Sequence, residues 1–136
     1  MKKKLVIILG PTAIGKTNLS IKLAKHYKSK IISCDSRQFY KELCIGTAPP
    51  NEDQLRQVQH YFVKDRSINL EFNAGMFENE AINLIESSDN NILFAVGGSG
   101  LYINAICKGL DKIPDIPKDV RNMLTFQYKK KGILWL

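Results

Sequence analysis

The 136-residue chain is 44% hydrophobic and 24% charged, a composition that suits one domain with a buried core and excludes a disordered or fibrous protein. No apolar stretch reaches membrane-spanning length, and the three cysteines, Cys34, Cys44 and Cys107, lack paired Cys-x-x-Cys spacing, so reduced thiols are expected in place of a disulfide framework or zinc site. The net charge of +7 favours a polyanionic partner such as nucleic acid, although six of the twenty basic residues lie in two runs, Lys2 to Lys4 and Lys129 to Lys131, of the kind that usually form solvated faces.

The opening Met1-Lys2-Lys3-Lys4 and the apolar residues after it end at Gly10, too soon for a secretory signal, so a cytoplasmic location is expected. Leu5 to Leu9 reads as a buried parallel strand, and Leu19, Leu23 and Tyr27 predict the buried face of a following helix. Lys30 to Cys34 predicts a second strand that delivers Asp35 at its carboxyl end, where ligands sit in open α/β sheets. Asn51 caps a predicted helix through Gln59 with Leu55 and Val58 as its apolar face, and Tyr61 to Val63 predicts a short strand. Phe77, Ala81, Leu84 and Ile85 place a helix over Ala74 to Ser87, broken by Ser88-Asp89-Asn90-Asn91. Ile92 to Val96 is a further strand, ending in Gly97-Gly98-Ser99-Gly100 before a helix over Leu101 to Lys108 closed by Gly109. Asp111 to Pro117 reads as a linker, with Pro117 opening a helix that contains Val120 and Leu124. This alternation predicts an α/β fold with a parallel sheet and right-handed crossovers. The apolar stretch Gly132 to Leu136, with nothing after it, reads as the mark of a truncated chain.

Between the first strand and helix stands Gly10-Pro11-Thr12-Ala13-Ile14-Gly15-Lys16-Thr17, which fits G-x-x-x-x-G-K-[ST] in full. The glycines let backbone N–H groups at a helix N-terminus wrap an anion, Lys16 adds a point charge, and the Thr17 hydroxyl is a ligand for Mg2+. ATP, GTP and other diphosphates all offer this loop the same oxygens. An ordinary nucleotide hydrolase carries a second Mg2+ carboxylate at a strand end, yet the strand Ile92 to Val96 ends in Gly97. Asp35 is the one carboxylate delivered at once by a strand ending, either as a metal-associated acid or as a proton acceptor. Two enzyme classes therefore stay open, phosphoryl transfer by a small-molecule or nucleotide kinase and a reaction with diphosphate as leaving group. A non-catalytic diphosphate-binding remnant is a third.

Together with that loop, Asp35-Ser36-Arg37-Gln38-Phe39-Tyr40, Ile45-Gly46-Thr47-Ala48-Pro49-Pro50, His60-Tyr61-Phe62 and Gly97 to Ile103 with Gly109-Leu110 resemble, in order and spacing, the tRNA dimethylallyltransferases, also called tRNA isopentenyltransferases. The resemblance implies a P-loop NTPase-like parallel sheet flanked by helices, with residues 1–111 forming an incomplete core and 112–136 a linker and the start of a helical tRNA-binding insertion. It implies transfer of a dimethylallyl group from dimethylallyl diphosphate to N6 of the adenosine on the 3′ side of the anticodon, with Mg2+ present and diphosphate released. Gly10, Pro11, Thr12, Ala13, Ile14, Gly15, Lys16 and Thr17 would hold the diphosphate, Thr17 would hold the metal, and Asp35 would be the general base, with Lys16, Thr17 and Ser99 completing the catalytic set. Asp35, Ser36, Arg37, Gln38, Ser99 and Arg121 would meet the tRNA anticodon stem-loop. His60 is expected to be structural, and Phe39, Tyr40 and Tyr102 either line a prenyl pocket or belong to the core.

The chain departs from the family pattern at Pro49, where Lys is frequent, at Lys64, where an acid is frequent, and at Ser99, where Thr is common. The resemblance also implies a longer protein, a monomer with no membrane association, whose further part carries a basic residue for the diphosphate and an arginine-rich tRNA-contact segment.

Overall fold

The computed structural model describes residues 2–111, 114 and 116–135. Four strands, β1 (Lys4–Leu9), β2 (Ile31–Ser33), β3 (His60–Tyr61) and β4 (Ile92–Gly97), form one wholly parallel sheet in the order β1-β4-β2-β3. The helices are α1 (Lys16–His26), α2 (Glu52–Gln57), α3 (Ala74–Ser87), α4 (Gly100–Lys108) and α5 (Lys118–Lys131), followed by a 3-10 turn at Ile133–Trp135. Because β4 enters between β1 and β2, the residues after β1, at the end of β4 and after β2 line up along one carboxyl edge. That row holds Gly10, Gly97 and Asp35.

Alternation along the strands divides the core into two layers. Ile32, Leu93 and Ala95 face a cluster with Phe39, Phe62, Phe72, Phe77 and Ala81, covered by α3 and α4. Ile31 and Phe94, partners in register, face the other way onto Ile21, Ala24 and Val58. The aromatic layer is tightly interlocked: Phe39 meets Phe72 edge-on with ring centres 4.9 Å apart, and Phe62 meets Phe77 at 5.0 Å.

Helix ends follow the sequence. Asn73 accepts from Met76 N at 3.0 Å, and Asn51 with Gln54 forms a reciprocal capping box. Lys3 places its ammonium on the carbonyls of Ile85, Glu86 and Ser88 at the end of α3, where a cation also meets the negative pole of the helix. The first basic run is therefore in part a helix cap.

The sequence expectation for α1 requires correction. Its buried residues are Ser20, Ile21 and Ala24, whereas Leu19 and Tyr27 are half exposed and Leu23 is only partly covered. Small side chains at 20 and 24 let α1 lie close on the sheet, and the larger apolar residues fall to the flank. The predicted strand at Tyr61 to Val63 is also displaced, since Phe62 and Lys64 take left-handed backbone, with φ 60° and 50°, that ends β3 at Tyr61. Phe39 and Tyr102 belong to the core and Tyr40 packs at its margin, which decides between the two roles open to these aromatics. No residue of α5 is buried. Parts of the expected linker over Asp111 to Pro117, namely Lys112, Ile113 and Asp115, lie outside the described residues, as do Met1 and Leu136. Among the described residues no helix is long and apolar enough to cross a membrane.

Candidate functional site

The turn after β1 is shaped by backbone. Ala13 and Gly15 take left-handed conformations, with φ 69° and 93°, and Gly15 stands at the N-cap of α1. Ala is rare in that region, so the loop holds a strained shape with its amides arrayed at the positive pole of a helix whose first turn carries no acidic residue. A Cβ on Gly10 would stand 2.8 Å from Ile14 Cδ1, the tip of an exposed side chain that can move aside. Lys16 donates from Nζ to the Pro11 carbonyl, and Ser20 donates to the Thr17 carbonyl at 2.8 Å.

The loop opens on a cavity of about 220 Å³ lined by Thr12, Ala13, Gly15, Lys16, Thr17 and Asn18 of one chain segment, by Asp35, Gln38, Ala48 and Gln54 of a second, and by Val96 and Gly97 at the end of β4. The loop over Gly10 to Thr17 and Asp35, 18 residues beyond Thr17, thus line one space. Asp35 accepts from Arg37 N at 3.0 Å, which fixes one carboxylate oxygen in a local turn. Its other oxygen takes no hydrogen bond among the described residues.

Gly97 explains the missing strand-end carboxylate. A Cβ at this position would sit 2.5 Å from the Cys34 carbonyl carbon, because the ends of β4 and β2 press together. Any side chain there collides with backbone, so the acid of this site comes from the neighbouring strand. Burial pushes the Cys34 thiol up to about 12, which keeps the sulfur beside Asp35 protonated and unsuited to attack.

The remaining predicted residues divide. Gln38 lines the cavity and works as a brace: its Nε2 donates to the carbonyls of Thr47 and Ala48 at 3.0 and 3.2 Å, while its Oε1 accepts from Ser33 at 3.2 Å. Ser99 stands outside the cavity lining and accepts from Ser36 N at 2.9 Å, tying the β4–α4 turn to the segment after Asp35. The Arg37 side chain is exposed, with no ion pair among the described residues. Arg121 is exposed on α5, outside the lining. Gly10, Pro11 and Ile14 shape the loop without facing the cavity.

Sequence reasoning missed Asn18 and Gln54. Gln54 Nε2 donates to Asn18 Oδ1 at 3.0 Å while its Oε1 accepts from Asn51 N at 3.0 Å, so one side chain caps α2 and joins it to α1 at the cavity wall. The Asn-x-x-Gln spacing at 51–54 signals the cap, but the partner on α1 has no local signature.

Residues 38–136 match the sequence model of the IPP transferase family. The chain is 52% identical over 134 residues to the tRNA dimethylallyltransferase of Flavobacterium psychrophilum and 48% identical over 136 residues to that of Flavobacterium johnsoniae, alignments that take in 97% and 98% of it. It spans 44% of the length of each of these curated relatives. Among solved structures it is similar to the full-length tRNA isopentenylpyrophosphate transferase of Bacillus halodurans, with a TM-score of 0.77 and 34% identity over 98% of this chain and 45% of that one. A eukaryotic dimethylallyltransferase crystallised acting on tRNA aligns with a TM-score of 0.74 and 27% identity, over 91% of this chain and 32% of that one.

Proposed function

The chain belongs to the IPP transferase family, and from that premise we propose that its cavity grips the diphosphate of dimethylallyl diphosphate while Asp35 serves transfer of the prenyl group to N6 of the tRNA adenosine on the 3′ side of the anticodon. The observation that carries this reading is the shared cavity, lined both by the Gly-rich loop at the start of α1 and by the carboxylate that follows β2. The allylic C–O bond breaks with its electron pair leaving on the diphosphate, where the loop amides and Lys16 stabilise the growing charge. The adenine amine forms the new C–N bond and gives its proton to Asp35, whose turn bond to Arg37 N orients the carboxylate.

The donor set fits Mg2+. Thr17 offers a hard hydroxyl oxygen to the cavity, and no group of three or more acidic, His or Cys side chains gathers among the described residues. Such a site suits a cation that keeps several waters and takes further oxygens from a bound diphosphate. Bound there, Mg2+ would neutralise the leaving group. Ser36 and Arg37, beside Asp35, are available to splayed bases of an anticodon stem-loop, and Arg121 to its backbone. Ser99 then acts by holding Ser36.

Incubation of the chain with Mg2+, dimethylallyl diphosphate and an anticodon stem-loop tests the reading, with inorganic diphosphate titrated in parallel by calorimetry. Prenylated RNA and saturable diphosphate binding are expected. ATP-dependent phosphorylation without prenyl transfer would sink it.

A further inference from the structure

A second cleft of about 20 Å³ shares Thr17 and Gln38 with the main cavity and is bounded by these, Ser20, Ser33 and His60 and by the apolar Ile31, Pro50, Val63 and Val96. A space of that size holds about one water molecule. Its hydrogen-bonding character is one-sided. The Ser20 hydroxyl is committed as donor to the Thr17 carbonyl at 2.8 Å, and the Ser33 hydroxyl to Gln38 Oε1 at 3.2 Å. Gln38 directs its amide hydrogens to the Thr47 and Ala48 carbonyls. His60 Nδ1 stands 2.8 Å from the Val58 carbonyl, which can only accept, so the proton resides on Nδ1 and Nε2 carries a bare lone pair. That Nε2 is buried and has no partner among the described residues. Burial also holds the His60 pKa below its ordinary value, which favours the neutral ring.

The residues that border the cleft therefore bring three acceptors, Ser20 Oγ, Ser33 Oγ and His60 Nε2, and a Thr17 hydroxyl with no hydrogen bond among the described residues. Water matches this set, because it donates twice and still accepts. We propose that His60 is a positioning residue, donating through Nδ1 to Val58 and accepting at Nε2 from a buried water that also donates to the Ser33 or Ser20 oxygen. The water buttresses the Ser33–Gln38 brace, and with it the Thr47–Ala48 wall of the main cavity. Thr17 lines both spaces, so a hydroxyl that donates to this water keeps its lone pairs for a ligand in the main cavity. That last consequence rests on the proposed diphosphate site.

A crystal structure of the chain at a resolution that orders water tests the site directly. An oxygen within about 3.2 Å of His60 Nε2 and of one serine Oγ is expected, and an empty cleft or a metal cation there overturns the proposal. Nitrogen-15 spectra of labelled histidine give the tautomer, expected as Nδ1–H, and an Nε2–H ring also overturns it. Solvent exchange of the Gln38 side-chain amide separates positioning from mere packing. His60→Phe keeps a ring without an acceptor and should speed exchange about tenfold, whereas His60→Gln returns an oxygen near Nε2 and should stay close to wild type. Equal behaviour of the two variants overturns the proposal. Should His60→Phe fail to fold, fast exchange in His60→Gln alone has the same force. Inorganic diphosphate binding, about tenfold weaker in His60→Phe, reads the link to Thr17. Failure of wild type to bind diphosphate removes the proposed function and leaves the water, tautomer and exchange results standing.

Discussion

The two walls of the main cavity are built by different means. Residues 10–17 are shaped by backbone: left-handed Ala13 and Gly15 and a helix N-terminus. Residues 35–54 are held by side chains, with Gln38 bracing Thr47 and Ala48, Ser99 holding Ser36, and Gln54 linking α2 to Asn18. The second wall is also anchored from beneath, where Phe39 is fully buried among Phe72 and Tyr102. Arg66 adds a pin there, its guanidinium 3.7 Å from the Phe72 ring centre and paired with Glu80. The contrast teaches that a stretch shaped by its own backbone depends on local sequence, whereas one joined by side chains depends on partners far along the chain.

Substitutions can pull the two walls apart. Asp35→Ala should give the largest effect, a loss of prenyl transfer of about 10²–10⁴-fold with diphosphate binding retained in calorimetry. Loss of both together would place Asp35 with the metal ligands and erase the division of labour. Lys16→Ala should act in the opposite sense, weakening diphosphate binding roughly 10–100-fold through loss of a charge-assisted bond, with no change in the melting temperature. Gly97→Ala tests the seam between the walls: the collision with Cys34 should cost about 1–3 kcal/mol in urea unfolding, and a neutral result would show that β2 and β4 part easily. Asn51→Ala should have the smallest effect, about 1 kcal/mol from the lost cap, seen as fraying of α2 by amide hydrogen exchange. Unchanged exchange at Gln54 would show that Asn18 alone holds it.

The backbone-built wall was legible in the sequence because its chemistry is local. Gly10 to Thr17 names its own geometry, as Phe77, Ala81, Leu84 and Ile85 name α3. The position of Asp35 followed from the strand before it. Periodicity misled at α1, where Leu19 and Tyr27 outweighed Ser20 and Ala24 in hydrophobicity although the smaller residues allow the closer approach. The side-chain wall was mostly illegible, because the Gln54–Asn18 and Ser36–Ser99 contacts span 36 and 63 residues. No local pattern encodes such pairs. The Gly97 collision is likewise a property of two strands brought together by topology.

That collision bears on how this scaffold could be redesigned. Converting the chain into a nucleotide hydrolase by installing an aspartate at position 97 is the shortest change on paper. It is closed sterically, because the Cys34 backbone occupies the volume the new side chain would need. A workable redesign has to respace β2 and β4 first.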